Sequence, residues 1–175
     1  MNRTQEIYRK ANKIISYAGT RNMITVARDL VIKVYFEDSY IDLLGMYTCA
    51  YKTRAIFVNN RLDDYMTQMV IAHEIGHDML HRELAKNDAM KEFELFKIMK
   101  NNTEYEANAF ASHLLIPTNE FVELSRDGLT IAEIASIMNT EINIALIKCR
   151  ELVSLGDALI TPMDTKGDFM KNIKV

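Results

Sequence analysis

From Thr4 to Tyr17 the apolar residues return at helical spacing (Ile7, Tyr8, Ala11, Ile14, Ile15, then Ala18), which predicts a helix with one buried face, and Gly19 is a natural stop. A shorter helix is expected from Met23 to Leu30. The period then changes: Val31 to Phe36 is a β-branched and aromatic run that reads as a strand. Gly45 to Ala50 and Ala55 to Asn59 read as two more, with Tyr51-Lys52-Thr53-Arg54 as a four-residue hairpin loop. Asp63 and Asp64 suit the start of a long helix reaching His81 or Arg82, because acidic groups there complement the helix dipole. Asn87 to Lys100, with Ala89, Met90, Phe93, Phe96, Ile98 and Met99 among charges, predicts a short helix over the core. Thr103 and Glu106 have the spacing of a capping box, opening a helix that Pro117 closes. One face of it, Glu104, Ala107, Asn108 and Ala111, is almost free of bulk, so this helix can lie close against another. Leu129 to Met138 and Ile142 to Val153 predict a helical hairpin turning at Asn139-Thr140-Glu141. The pattern is that of an α+β protein, mostly helical, with a small three-stranded sheet beside the long helix and a C-terminal helical hairpin.

The long helix carries His73-Glu74-Ile75-Gly76-His77, and His81 stands one turn beyond. Residues four apart lie on one helical face, so His73 and His77 can aim both imidazoles at one point. Glu74 lies about 100° round the helix from His73, where a carboxylate can reach a water on the metal without becoming a ligand. This is the H-E-x-x-H spacing of zinc peptidases: Zn²⁺ takes such ligands and lowers the pKa of its water to about 7. The competing reading is a chance pair on an ordinary amphipathic helix. Three of the four His in the chain fall in this one short run, which favours metal. Gly76, costly inside a helix, points to a close backbone approach.

Composition narrows the class. With 175 residues, 49% hydrophobic and 26% charged, the chain is expected to form one well-buried core with a small appended helical piece. A net charge of -3 does not favour nucleic acid. The N-terminus lacks the apolar stretch of a signal peptide and no run approaches the roughly 18 apolar residues of a membrane span, so a cytoplasmic protein is expected. Cys49 and Cys149 stand alone and read as reduced thiols. Met66, Met69 and Met79 read as adaptable core filler.

A catalytic zinc site has three protein ligands and an open position, so two His imply a third partner. His81, Glu83, Glu92, Glu94, Glu104, Glu106 and His113 are candidates. His81 is a further turn along the same helix, each four-residue step adding about 6 Å of rise and about 40° of rotation. Position +6 from His73 is Met79 rather than Gly, against a metzincin. Glu106 has its expected role as a cap, and His113 lies half a turn round from Glu104. The choice falls on Glu104, with Asn108 and His81 as partners outside the ligand shell, although a solvated surface acid remains the alternative for Glu104. Tyr105, His113 and Tyr65 are all conceivable oxyanion donors.

The strand hairpin, Ala72-His73-Glu74-Ile75-Gly76-His77 with His81 beyond, and Glu104-x-x-Ala107-Asn108-x-Phe110-Ala111 ending in Leu114-Leu115-Ile116-Pro117 resemble the ImmA/IrrE family of metallo-endopeptidases over roughly Ile24 to Glu151. The resemblance implies a zincin-like core, here 1–125; the sequence itself suggests a packed helical hairpin at 126–155 and an irregular tail at 156–175. It implies Zn²⁺ held by His73, His77 and Glu104, Glu74 as the general base, and a protein substrate, a helix-turn-helix repressor of a mobile element or stress response. The hairpin at 129–153 has the spacing of a DNA-reading motif, but its second helix offers only Asn143 early, with Lys148 and Arg150 late, and Glu141 would repel phosphate. Packing on the core is favoured over direct nucleic-acid binding. Two functions remain to be weighed: a zinc endopeptidase, and a non-catalytic regulator that binds a repressor without cutting it.

Overall fold

A helix buried over ten consecutive residues, Met69 to Asp78, must have neighbours on every side, and the fold is built to supply them. The computed structural model describes residues 2–50, 53–86, 90–92, 102–157 and 159. In chain order the elements are α1 (Arg3–Ala18), α2 (Met23–Asp29), β1 (Lys33–Glu37), β2 (Gly45–Ala50), β3 (Thr53–Asn59) and α3 (Asp64–His81). A short 3-10 turn at Leu84–Lys86 leads to β4 (Met90–Glu92), followed by α4 (Asn102–Leu115), α5 (Thr118–Arg126), α6 (Ile131–Ile137) and α7 (Ile142–Leu155).

The sheet lies against one side of α3 in the order β1-β3-β2-β4, with β1 parallel to β3 and the other pairs antiparallel. In β2 alternate residues Gly45, Tyr47 and Cys49 are buried, the period-2 signature of a strand with one face on the core. The opposite side of α3 packs along α4, and α1 and α7 cover α4 in turn. Ile71, Ile75, Phe110, Leu114 and Ile144 are fully buried in the shared core. Each contributes about 1.5–3 kcal/mol of transfer free energy. Among the described residues no helix is long and apolar enough to cross a membrane. Cys49 and Cys149 are not joined in a disulfide.

The α+β architecture is the expected one, with one strand more than the three predicted. Asn87 to Lys100 was expected as helix; its described part, Met90–Glu92, is instead strand, paired with β2 through Tyr47↔Met90 and Gly45↔Glu92. Ladder hydrogen bonds along the exposed edge of β2 decide this, since three residues carry no period of their own. The remainder of that predicted helix lies outside the described residues, as do all but Gly156, Asp157 and Leu159 of the expected tail. The hairpin loop is shorter than four residues because β3 already starts at Thr53, with Cys49↔Arg54 and Ala50↔Thr53 in register. β1 starts at Lys33 because Val31, with φ 59, closes the end of α2, its N–H donating to the Arg28 carbonyl at 2.9 Å.

At Thr103 and Glu106, where a capping box is expected, the structure shows other roles. α4 begins at Asn102, placing Thr103 inside the helix, and the Glu106 carboxylate accepts from Arg3 and His81 instead. A charged donor from another element outcompetes a neutral local backbone N–H.

Candidate metal centre

The Asp63 side chain accepts from the Met66 N–H at 2.7 Å and fixes the start of α3, which sets the rotation of every later residue on that helix. Two turns on, His73 and His77 face α4 from buried positions, 1% and 2% exposed. Glu104, in the first turn of α4, meets them with a side chain that is 32% exposed, so the group is open to solvent on that side. The approach depends on Gly76: a Cβ there would stand 2.9 Å from the Ala107 carbonyl oxygen and 3.0 Å from its Cα. Only a residue without a side chain allows the two helices to come so close.

His73 Nε2 and His77 Nε2 are 2.9 Å apart, and Glu104 Oε2 lies 3.3 Å from the first and 3.5 Å from the second. Both imidazoles are engaged on their other nitrogens, His73 Nδ1 with Asn108 Oδ1 at 2.7 Å and His77 Nδ1 with His81 Nδ1 at 3.2 Å. An amide oxygen only accepts, so His73 carries its proton on Nδ1 and presents a lone pair at Nε2. With the same tautomer at His77, two lone pairs and a carboxylate oxygen converge, an arrangement that calls for a cation. Three ligand atoms at about 2.0–2.1 Å from a tetrahedral ion stand about 3.3 Å from one another, close to the spacings found here. Burial pushes His77 down to about 4, against the pull of Glu104, which keeps it in the neutral form that ligates metals. Partial burial would raise Glu104, but hydrogen bonds and charge from His73 and His77 outweigh it and hold the carboxyl well below its usual range.

Glu74 is fully buried beneath β2. A Cβ on Gly45 would stand 2.4 Å from Val70 Cγ1 and 3.3 Å from Glu74 Oε1, so it is as glycine that the start of β2 lies this close to α3 beside the carboxylate. Gly45 was not singled out in the sequence, although an isolated Gly in a strand pattern does signal a close approach. Beyond His77, His81 Nε2 donates to Glu106 Oε2 at 2.9 Å, and Arg3 closes on the same oxygen.

Behind the site, buried Asp78 accepts from Tyr47 Oη at 2.6 Å, Arg54 Nη1 at 2.8 Å and Arg82 Nη2 at 2.9 Å. This clamp ties α3 to β2 and β3; Arg82 is a local i,i+4 partner, but no local signal announces Tyr47 and Arg54, which are far from Asp78 in sequence. Of the other candidate ligands, Glu83 is exposed and only the backbone of Glu92 is described, while Glu94 lies outside the described residues. The proposed oxyanion donors have partners elsewhere. Tyr105 donates to Glu151 Oε1 at 2.6 Å. His113 Nδ1 meets Lys148 Nζ at 2.9 Å, and Tyr65 sits two turns before His73 in the field of Glu141 and Asp63.

A cation site shared by the middle of one helix and the first turn of another, beside a small mixed sheet, is the construction of a zincin-like metallopeptidase. Comparison with known proteins agrees: the chain belongs to the peptidase family described as the IrrE N-terminal-like domain, which it matches over residues 27–147. It is 29% identical to "Uncharacterized immunity region protein 2" of Bacillus phage phi105, over 78% of this chain and 84% of that protein. It is also 30% identical to "Metallopeptidase ImmA" of Bacillus subtilis (strain 168), over 63% of each chain.

Proposed function

We propose that this chain is a zinc-dependent endopeptidase in which His73, His77 and Glu104 hold the ion and Glu74 is the general base. The observation that carries the reading is the triangle of two imidazole nitrogens and one carboxylate oxygen, solvent-open at Glu104, with a buried carboxylate one residue from the first imidazole. The chemistry of the donor set fits zinc, which when bound acidifies water and polarises a peptide carbonyl. Glu74 takes the proton of the attacking water and passes it to the amine that leaves. Asn108 and His81 hold the imidazoles in the ligating tautomer. The core at 1–125 carries the site, and the hairpin at 126–155 braces α4 from behind. A transcriptional repressor in the cytoplasm is the substrate this reading favours. It is supported by the family resemblance and by a phage relative named for an immunity region.

Purified protein incubated with a candidate repressor should yield a new fragment by mass spectrometry, lost on adding a chelator. Glu74→Gln should retain zinc and lose cleavage by at least about 100-fold, the scale of a general base. Cleavage at the wild-type rate by that variant, or a complex formed without any fragment, would overturn the endopeptidase reading.

A further inference from the structure

His77 differs from His73 in what stands behind it. His73 rests on one neutral amide, whereas His77 begins a chain of four groups: His77 Nδ1 to His81 Nδ1 at 3.2 Å, His81 Nε2 to Glu106 Oε2 at 2.9 Å, and Glu106 to Arg3 of α1. Each link fixes the proton position of the one before it. The Arg3 guanidinium, which can only donate, closes on Glu106 Oε2 and fixes that oxygen as an acceptor. A carboxylate can only accept, so His81 must carry its proton on Nε2 and offer a lone pair at Nδ1. That lone pair in turn accepts from His77 Nδ1–H, which leaves the His77 Nε2 lone pair facing His73 and Glu104. Were His81 to carry its proton on Nδ1, two N–H groups would oppose each other. His77 could relieve this by moving its proton to Nε2, where no cation can bind.

We propose that Arg3, acting through Glu106 and His81, is a positioning residue of the metal centre, so that helix α1 belongs to the site. Arg3 precedes residues 27–147, the part of the chain that matches the family. Its guanidinium is shared with Glu6 at 3.0 Å, which in turn meets Lys10 at 2.7 Å, so Arg3 is held by its own helix while it reaches across to α4. The inference rests on the metal centre described above and not on the reaction or its substrate.

The test reads metal rather than cleavage. Zinc dissociation constants, measured by competition with a chromophoric chelator, should rise about 10-fold in Glu106→Gln. The half-exposed Arg3 should contribute less, about 3-fold in Arg3→Gln, and Arg3→Lys should recover most of it because the charge is kept. Two-bond proton–nitrogen spectra of the zinc-loaded protein should show His81 protonated on Nε2 in the wild type and a mixture of tautomers in Glu106→Gln. Arg3→Gln alters a surface side chain, so the zinc-free variant should melt within a few degrees of the wild type. Unchanged zinc affinity and an unchanged His81 tautomer in Glu106→Gln would overturn the relay, even if the protein cuts its substrate. Weakening in Glu106→Gln with none in Arg3→Gln would remove Arg3 from it. A wild type that binds zinc but cleaves nothing would end the endopeptidase reading and leave the relay standing.

Discussion

At Gly76 one hydrogen atom sets the distance between two helices. In an exposed helix Gly→Ala stabilises by about 1 kcal/mol, because alanine loses less backbone freedom on folding. Here the added methyl would lie 2.9 Å from a backbone oxygen of α4 and 3.0 Å from a backbone carbon, neither of which can rotate aside. The sign should reverse: Gly76→Ala is expected to cost about 1–3 kcal/mol, the range for overpacking, read by urea unfolding of the zinc-free protein. Ala107 is three residues from Glu104, so pushing it away opens the triangle as well. Chelator competition should show zinc binding weaker in this variant than in wild type. A gain in stability would mean that α4 yields freely, and that the close approach is incidental to the centre.

At the scale of elements, α3 is placed by Asp78 as much as by its apolar residues. Burying a carboxylate is tolerable here because a tyrosine and two arginines meet it, and one of these, Arg54, also caps the Leu30 carbonyl at the end of α2. Removing one partner of such a buried pair costs about 3–5 kcal/mol, so Asp78→Asn should lower the urea midpoint sharply, with much smaller losses from Arg82→Met, whose side chain is 40% exposed. Equal small losses from both would show that the clamp adds little. The pattern along the chain announced α1, α2, the first three strands, α3 and α4, because each is long enough for its period to be counted. It also brought two imidazoles to one helical face. For a third candidate ligand it favoured Glu104 by elimination, but a lone acid on a predicted helix also looks like a solvated charge, and the resemblance added the weight that the pattern lacked. Contacts such as Arg3 to Glu106, Tyr47 to Asp78 and Lys148 to His113 were not legible, because long-range polar pairs leave no period. Where a local rule and a distant charge competed, as at Glu106, the charge prevailed.

Across the whole molecule, α4 is held at both ends. Glu104 opens it, and near its other end His113 is buried against Lys148, a fully buried amine that also donates to Thr118 of α5. Burial above all pushes Lys148 down to about 7, and Arg21 adds to this while Asp157 and Glu151 oppose it. His113 is likewise held far below its ordinary value by burial, then by Lys148 and Arg21. The sign follows from proton counts. Below about 7 Lys148 is charged in both states; from there to about 10.5 only the unfolded chain holds the proton, so stability rises with pH across that window. His113 acts in the same direction lower down, since below about 6.5 the unfolded chain takes a proton that the folded one refuses. Between pH 7 and 9 Lys148 alone should add about 2 kcal/mol. The upper limit avoids Tyr47 and Tyr105, whose raised values, due first to burial, erode stability above about pH 10. Urea unfolding of the zinc-free protein at a series of pH values should therefore show a slope over that range that Lys148→Met abolishes. Parallel curves for the two proteins would mean that the amine stays charged inside the fold. A neutral Lys148 lets α7 lock onto α4 without the cost of a buried charge, and so steadies the helix that presents Glu104 to the two imidazoles.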